Sequence, residues 1–424
     1  MLIWGVCLKR SCGMRVYDIN SCVAAMAESL HDAPDYGFAA SPGSAVFDWN
    51  QLKVKRDAYI ARLNGYLNWV LNSYLRIYET NLTKDAIDRI SGFGTFVGPR
   101  QVKVNDIVYE AQKILITVGS YAWIPSTPGC QEHGITSDGF FELQDLPKKV
   151  AVVGAGYIGV ELAGIFQGLG AQTSLFIRHT EFLRTFDPII RHTVMDEYRK
   201  SGMNLVTSSQ ISQIENLAPK GSPKNLRITT WNHETQSNQV HEGFEHVIFA
   251  VGRKANIEKL DLSAAGVTLN AKGFITVNEY QDTNVSGIYA LGDVCGVAML
   301  TPVAIAAGRR LADRLFGGKT DSKLDYSNIA SVIFSHPTCG SVGLSEDDAV
   351  AKYGRDQIKV YQSKFTNMYF SMTTRKQPTV HKLVCAGPEE KVVGLHIVGL
   401  ASDEILQGFA VAVKMGTLRV LLTS

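Results

Sequence analysis

The stretch KVAVVGAGYIGVELAGIFQGLGAQTSLF, residues 149–176, decides how this chain is read. Val150 to Val153 is an unbroken apolar run, the pattern of a strand covered on both faces. Tyr157 to Leu169 has helical character, Gly170 stops the helix, and Thr173 to Ile177 is a second apolar strand. Strand, helix and strand in so short a span form a βαβ unit with parallel strands. The first turn of that unit reads Gly154-Ala155-Gly156-Tyr157-Ile158-Gly159, a G-x-G-x-x-G pattern. Such a pattern is weak alone and gains meaning where it follows a strand and opens a helix. Gly154 makes the tight turn, Gly156 leaves room for a pyrophosphate against the backbone, and Gly159 lets helix and strand pack closely. The free N–H groups of the helix start face the phosphates. A dinucleotide is the expected ligand.

The end of the second strand selects which dinucleotide. A site for NAD would carry an acid there for the ribose hydroxyls. The chain instead reads Ile177-Arg178-His179-Thr180-Glu181-Phe182-Leu183-Arg184. Arg178 and Arg184 offer two guanidinium groups for a 2′-phosphate, and Glu181 comes too late for the ribose role. NADPH is expected over NADH.

Outward from this unit, Phe47 to Leu82 reads as a long helical stretch, and Val102 to Val118 as a hairpin ending in the strand Ile114-Leu115-Ile116. Pro125, Pro128 and Gly129 punctuate a crossover. Residues 203–250 form short strands ending at Val247 to Ala250, and Pro302 to Phe316 is an Ala-rich helix. From about Tyr326 the pattern becomes that of a separate domain, with strands at Val332 to Phe334 and Val392 to Ile397 and a helix from Asp403 to Met415. Residues 1–30 show no clear period, and His31 to Phe38 is a polar turn segment.

Composition sets the outer bounds. A chain of 424 residues exceeds one ordinary core and implies several domains. Hydrophobic residues at 45% and charged residues at 19% match a globular protein, and a net charge of +2 gives no general attraction to nucleic acid or membrane. No apolar run reaches the length of a membrane helix. The apolar start Met1 to Val6 precedes Lys9 and Arg10, the reverse of a secretory signal. Cytoplasmic location is expected, with Arg10 and Arg15 leaving a mitochondrial share open. Of the seven cysteines, Cys22, Cys130, Cys295, Cys339 and Cys385 are isolated and expected to be reduced, buried and inert; only Cys7 and Cys12 lie close together. No metal-ligand set is read.

Residues 283–293, TNVSGIYALGD, resemble the second flavin motif of the two-dinucleotide flavoprotein disulfide reductases, the class I pyridine nucleotide-disulfide oxidoreductases. Residues 250–253, AVGR, resemble the crossing between domains in that family. Residues 137–141 (SDGFF), 177–179 (IRH), 300–309 (LTPVAIAAGR), 334–337 (FSHP) and 407–416 (QGFAVAVKMG) look like the glutathione reductases within it. The resemblance runs from about His31 to Gly416. It implies an α/β fold: two Rossmann-like dinucleotide-binding domains and an α+β C-terminal dimerisation domain. The domains implied are an incomplete FAD-binding domain at 1–117 with an insertion at about 65–75, an NADPH-binding domain at 118–255, the remainder of the FAD/central domain at 256–327, and a truncated dimerisation domain at 328–424.

The resemblance also implies roles. Asp293 would bond the ribityl chain of FAD, and Thr301 would touch the flavin. Gly119, Gly252 and Arg253 would belong to the cofactor sites. Tyr157 would cover the flavin until nicotinamide displaces it, with Glu161 and Val332 on the nicotinamide side. Cys7 and Cys12 would form the redox disulfide, and Tyr78 and Arg309 would contact glutathione disulfide. The implied activity is NADPH-dependent reduction of glutathione disulfide through FAD in a homodimer joined by the C-terminal domain, serving cell redox homeostasis.

Several features depart from the family pattern. Only six residues precede Cys7, too few for a first flavin-binding βαβ unit. The family's C-V-N-V-G-C-V-P-K becomes Cys7-Leu8-Lys9-Arg10-Ser11-Cys12-Gly13-Met14-Arg15, keeping the C-x4-C spacing. An apparent insertion covers Gly65 to Leu75. The family's terminal His-Pro-Thr, its acid–base element, is replaced by Thr417 to Ser424, and His336-Pro337-Thr338 imitates it from what reads as an interior strand. These departures define an alternative: a form that binds NADPH or a partner subunit without flavin or the acid–base histidine.

Overall fold

The computed structural model describes residues 2–4, 13–38, 47–64 and 82–423. They form two compact units. One takes Met1–Val16, Val54–Ala122 and Arg253–Tyr326; the other takes Tyr17–Lys53, Trp123–Gly252 and Ser327–Ser424.

In the larger unit the apolar runs pair as a five-stranded sheet in the order Asn204–Val206, Gln172–Phe176, Lys149–Val153, His246–Phe249, Gly134–Thr136. Every pairing is parallel, with Val153 opposite Phe176 on one side and Phe249 on the other. The chain moves outward from Lys149–Val153 through the next two strands, then returns to its opposite flank. The strand order therefore reverses beside Gly154. In open parallel sheets the crevice at such a reversal is where ligands bind. The helix Tyr157–Gly168 buries Val160, Leu162, Ala163, Ile165 and Phe166 against this sheet. Trp49, in the helix Trp49–Asn64, stacks on Phe166 at 6.5 Å and donates its indole N–H to the Leu143 carbonyl at 3.0 Å.

The same unit holds an antiparallel sheet in the order Ser331–Ile333, Cys339–Gly343, Lys391–Val398, Pro378–Ala386, Ile358–Thr366. The helix Ser402–Lys414 lies on it, burying Leu406 and Val413 among Val342, Val392, Leu395 and Ile397. A Cβ on Gly340 would stand 2.8 Å from Leu406, so a small residue is what lets helix and sheet approach there.

The smaller unit contains a parallel three-stranded sheet, Leu2–Trp4, Ile114–Ile116, Ile288–Ala290, and a separate antiparallel meander, Gly94–Gly98, Gln101–Val104, Ile107–Glu110. The helix Thr301–Phe316 buries Ala307 and Leu311 among Leu115, Tyr289 and Leu291. Ser120–Ala122 pairs with Arg253–Ala255.

Two elements carry no clear sequence signal, and one expectation needs correction. Gly13–Asp32 is a helix of 20 residues although its sequence shows no clear period. Its buried positions include Asn20, Ser21 and Asp32 beside Ala24, so polar residues occupy sites where an apolar stripe would be sought. Leu2–Trp4 is a strand, pairing in parallel with Ile114–Ile116. His336–Thr338 is no interior strand but the turn joining Ser331–Ile333 to Cys339–Gly343. The helix expected over Phe47 to Leu82 is seen as Trp49–Asn64; the apparent insertion Gly65 to Leu75 lies outside the described residues.

Candidate functional site

The phosphate loop is built as the motif requires. Gly154 adopts φ +145°, and a Cβ there would sit 2.2 Å from the Ala250 carbonyl oxygen across the strand reversal. Only glycine permits that conformation at that distance. A Cβ on Gly159 would lie 2.6 Å from the Gly154 oxygen, which fixes the helix close against the strand end. Gly156, the N-cap of the helix, differs from both: a Cβ there would meet nothing within 4 Å. Its space is open on the outer side, and no side chain caps the helix start. Ala155, Tyr157 and Ile158 complete the rim, with Tyr157 38% exposed. Uncapped N–H groups beside open space form an anion cradle.

Arg178 and Arg184 are both exposed, and neither has a carboxylate partner among the described residues. Both act on His179: burial, then the charges of Arg184 and Arg178, hold its imidazole below the ordinary histidine value. Two guanidinium groups thus face one patch. Glu181 is committed elsewhere, accepting from Arg191 at 2.7 Å and pairing with His192 at 2.8 Å. It is therefore held away from the role of ribose acceptor. The cradle, its open side and the pair of unneutralised arginines fit a phosphorylated dinucleotide.

Glu161 lies one turn into the same helix. It is 5% exposed, and its Oε1 accepts the Phe334 backbone N–H at 3.0 Å. Val332, two residues before Phe334, is half-buried and packs on the core of the antiparallel sheet. The fold thereby brings Glu161 and the strand of Val332 together.

In the smaller unit Asp293 sits in the turn after Ile288–Ala290. Its Oδ2 accepts from the Ser120 hydroxyl at 2.7 Å. Arg253 donates to the Ser120 hydroxyl and to the Ser120 carbonyl, each at 2.7 Å, and stands 3.9 Å from the carboxylate. Asp293 is therefore held in place by a hydroxyl and a guanidinium while remaining partly exposed. A Cβ at the adjacent Gly119 would meet nothing within 4 Å. Thr301 opens the helix Thr301–Phe316, again without a side-chain cap. A fixed carboxylate beside open backbone fits the hydroxyl-rich chain of a flavin. Arg309 is exposed on the same helix, and Gly252 closes the preceding strand region at φ +127°.

Cys7, Cys12 and Tyr78 lie outside the described residues. Four other cysteines are buried, and burial pushes their thiols up: Cys130 and Cys385 to about 11, Cys295 and Cys339 to about 12. Thiols so shifted stay protonated at neutral pH and are poor nucleophiles. Cys22 departs from the expectation of burial and is exposed.

Two polar clusters have no sequence signature. Lys382 Nζ lies 2.9 Å from both carboxylate oxygens of Asp187 and 2.9 Å from Glu346. His336 Nδ1 pairs with Glu28 at 2.7 Å, and Arg375 joins Glu28 at 3.1 Å and Asp32 at 2.7 Å. Their members lie far apart in sequence, so no local spacing announces them.

Two family models match the chain. The family model described as pyridine nucleotide-disulphide oxidoreductase matches residues 35–308, and its dimerisation-domain model matches residues 329–421. The protein called glutathione reductase in Schizosaccharomyces pombe is 47% identical over 422 residues, covering 97% of this chain and 86% of that protein. The protein of the same name in Yarrowia lipolytica is 43% identical over 426 residues, again covering 97% of this chain and 86% of its own length.

Proposed function

The chain belongs to the pyridine nucleotide-disulphide oxidoreductase family, and we propose on that premise that it reduces glutathione disulfide with NADPH. The reaction consumes one NADPH, one proton and one glutathione disulfide, and releases NADP⁺ and two glutathione molecules. The observation that carries the reading is the uncapped helix start at Gly156 with Arg178 and Arg184 free to take a 2′-phosphate. Two relatives called glutathione reductase weigh against the alternative of a form without flavin chemistry.

FAD, when bound, would supply the two-electron carrier between NADPH and a disulfide. The chain's own groups hold and orient. The N–H groups at Tyr157 and Ile158 take the pyrophosphate, and the two arginines take the 2′-phosphate. Those contacts direct the nicotinamide end toward Glu161, whose carboxylate is kept still by the Phe334 N–H. Asp293, fixed by Ser120 and Arg253, accepts from the ribityl hydroxyls. Gly119 and Gly252 belong to the cofactor sites of their own units, Thr301 would touch FAD, and Val332 would line the nicotinamide side. Cys7 and Cys12 are the sulfur pair. A thiolate of the reduced pair attacks one sulfur of glutathione disulfide and expels a glutathione thiolate. The second cysteine then attacks the mixed disulfide, releases the other glutathione and restores the pair. Tyr78 and Arg309 contact the glutathione chains.

The C-terminal domain joins two copies of the chain. The helix Ser402–Lys414 leaves Val411 60% exposed, with Met415 just beyond it 82% exposed, apolar surface that a second copy would cover. No helix among the described residues is long and apolar enough to cross a membrane. The proposed site of action is the cytoplasm, with a mitochondrial share left open by Arg10 and Arg15.

The test is a flavin spectrum of the purified protein, then NADPH oxidation with and without glutathione disulfide. Support is a bound flavin that bleaches with NADPH, followed by NADPH consumption that depends on glutathione disulfide. A colourless protein that leaves NADPH untouched would overturn the reading.

A further inference from the structure

The loop that carries Arg184 is tied down on both sides. On one side the buried Leu183 donates its backbone N–H to the Ala155 carbonyl of the phosphate loop at 2.7 Å. A turn follows, closed by the Phe186 N–H on the Leu183 carbonyl at 2.8 Å. On the other side, three residues past Arg184, stands Asp187, which is fully buried. Arg184 has no side-chain partner among the described residues, so the backbone anchor at Leu183 and the side-chain anchor at Asp187 decide where its guanidinium stands.

Asp187 is bonded from several elements. Its Oδ1 caps the helix Pro188–Lys200 by accepting from Ile189 N–H at 3.0 Å. Its Oδ2 accepts from Glu346 N–H at 2.9 Å. Lys382, 3% exposed on the strand Pro378–Ala386, donates to both oxygens at 2.9 Å and reaches Glu346 Oε2 at 2.9 Å. Arg355 takes the other Glu346 oxygen at 2.6 Å. His396 stands 3.8 Å from Asp187; it donates Nε2–H to the Leu344 carbonyl at 3.0 Å and accepts the Ser341 hydroxyl at 2.8 Å. Every charge in the cluster is paired. A buried ion cluster is costly to desolvate, and apolar residues of similar volume commonly stabilise as well or better. What the cluster offers in exchange is a fixed position: a carboxylate gripped at both oxygens cannot slide.

We propose that the Asp187–Lys382–Glu346 cluster is a positioning device for the 2′-phosphate site, making Lys382 a positioning residue for NADPH. The phosphate loop and the cluster act as two pins, and the segment strung between them holds Arg184 at the separation that spans pyrophosphate and 2′-phosphate. The C-terminal region, whose sheet supplies Lys382 and His396 and whose helix Glu346–Tyr353 supplies Glu346, thereby sets cofactor preference without touching the cofactor. The proposal rests on the NADPH reading given above.

The experiment titrates the purified protein calorimetrically with 2′,5′-ADP and with 5′-AMP, which lacks the 2′-phosphate. Wild type should prefer 2′,5′-ADP. Lys382→Met should weaken 2′,5′-ADP by about tenfold while changing 5′-AMP by less than about twofold, and Lys382→Arg should restore most of the preference. In turnover the same variant should raise KM for NADPH while leaving kcat and the weaker use of NADH nearly unchanged. A folded Lys382→Met protein with the wild-type ratio of the two affinities would overturn the proposal, whatever its melting temperature. Should Lys382→Met not fold, Glu346→Gln carries the same ratio test at a less buried position. A wild type without preference for 2′,5′-ADP would instead remove the NADPH reading, and the positioning role with it.

Discussion

The two cradles of this molecule, the turn at Gly154–Gly159 and the turn at Asp293, treat charge in opposite ways. Both follow a parallel strand. At the first, Arg178 and Arg184 stand exposed and unneutralised while Glu181, the only acid between them in sequence, is drawn away by Arg191 and His192. At the second, the carboxylate is already gripped by Ser120, which Arg253 in turn holds. The difference follows from what each must bind. A phosphate carries its own charge and rewards unspent cations. Neutral hydroxyls offer weaker bonds, so the acceptor must be oriented beforehand to gain from them.

The largest test of this contrast is at the first cradle. Gly156→Val places its side chain in open space, where the structure has nothing within 4 Å, so the protein should fold normally. It should nevertheless lose NADPH binding by on the order of a hundredfold, because the branched chain fills the pyrophosphate approach. Gly154→Ala should behave in reverse and fail to accumulate as folded protein, since its Cβ would meet the Ala250 oxygen at 2.2 Å. If both variants folded and both bound NADPH, the cradle would have been misidentified.

Next comes the charge at that cradle. Arg178→Ala and Arg184→Ala should each raise KM for NADPH by roughly tenfold and leave KM for NADH almost unmoved. Equal effects on both cofactors would show that the arginines serve general electrostatics rather than the 2′-phosphate.

At the second cradle the effect should be smaller. Asp293→Asn keeps the shape but removes the charge, and should cost about 1 kcal/mol of flavin binding, read as a lowered flavin content after purification. Ser120→Ala frees the carboxylate and should shift flavin affinity in the same direction by less. A Ser120→Ala protein that bound flavin more tightly than wild type would reverse the argument that orientation matters there.

The smallest effect is on pH. Burial is the leading cause that holds His241, His246, His381 and His396 below the ordinary histidine value. The unfolded chain then takes up protons that the folded one refuses. Stability is fully present above about pH 6.5 and declines as pH falls below it, by roughly 1 kcal/mol over the first unit. Asp187 adds a lower window. Burial raises its carboxyl, but the Glu346 N–H, His396 and Lys382 together hold it below the ordinary carboxylate value. Its contribution is present above about pH 4 and is lost as pH falls through the folded value. Urea unfolding between these limits measures both, and a His396→Gln protein should show a shallower upper slope.

The same contrast explains what was legible in advance. The turn at Gly154–Gly159 was readable because strand, turn and helix are consecutive. Gly159 answers to Gly154 five residues away and Gly156 to open space, while Gly154 answers to the distant Ala250. Asp293 could be singled out by resemblance, but not its grip by Ser120, which lies 173 residues away. The helix Gly13–Asp32 was not legible, because it buries Asn20, Ser21 and Asp32 where a hydrophobic stripe would have been sought. His336–Thr338 read as a strand from its apolar neighbours and proved to be the turn between two strands.

By itself the sequence determined the elements whose cause is local: the apolar strands, the glycine turn, the helix it opens, and the absence of an acid where an NAD site would place one. Periodicity and turn chemistry act over a few residues and leave their mark in order along the chain. Only the tertiary structure decided that the phosphate loop stands where the strand order reverses, and that Arg253 belongs to Ser120 and Asp293. It also decided that Lys382, 195 residues from Asp187, holds the loop of Arg184 in place. Those outcomes depend on which buried charges must find partners, and a buried charge takes its partner from whatever segment the fold brings near.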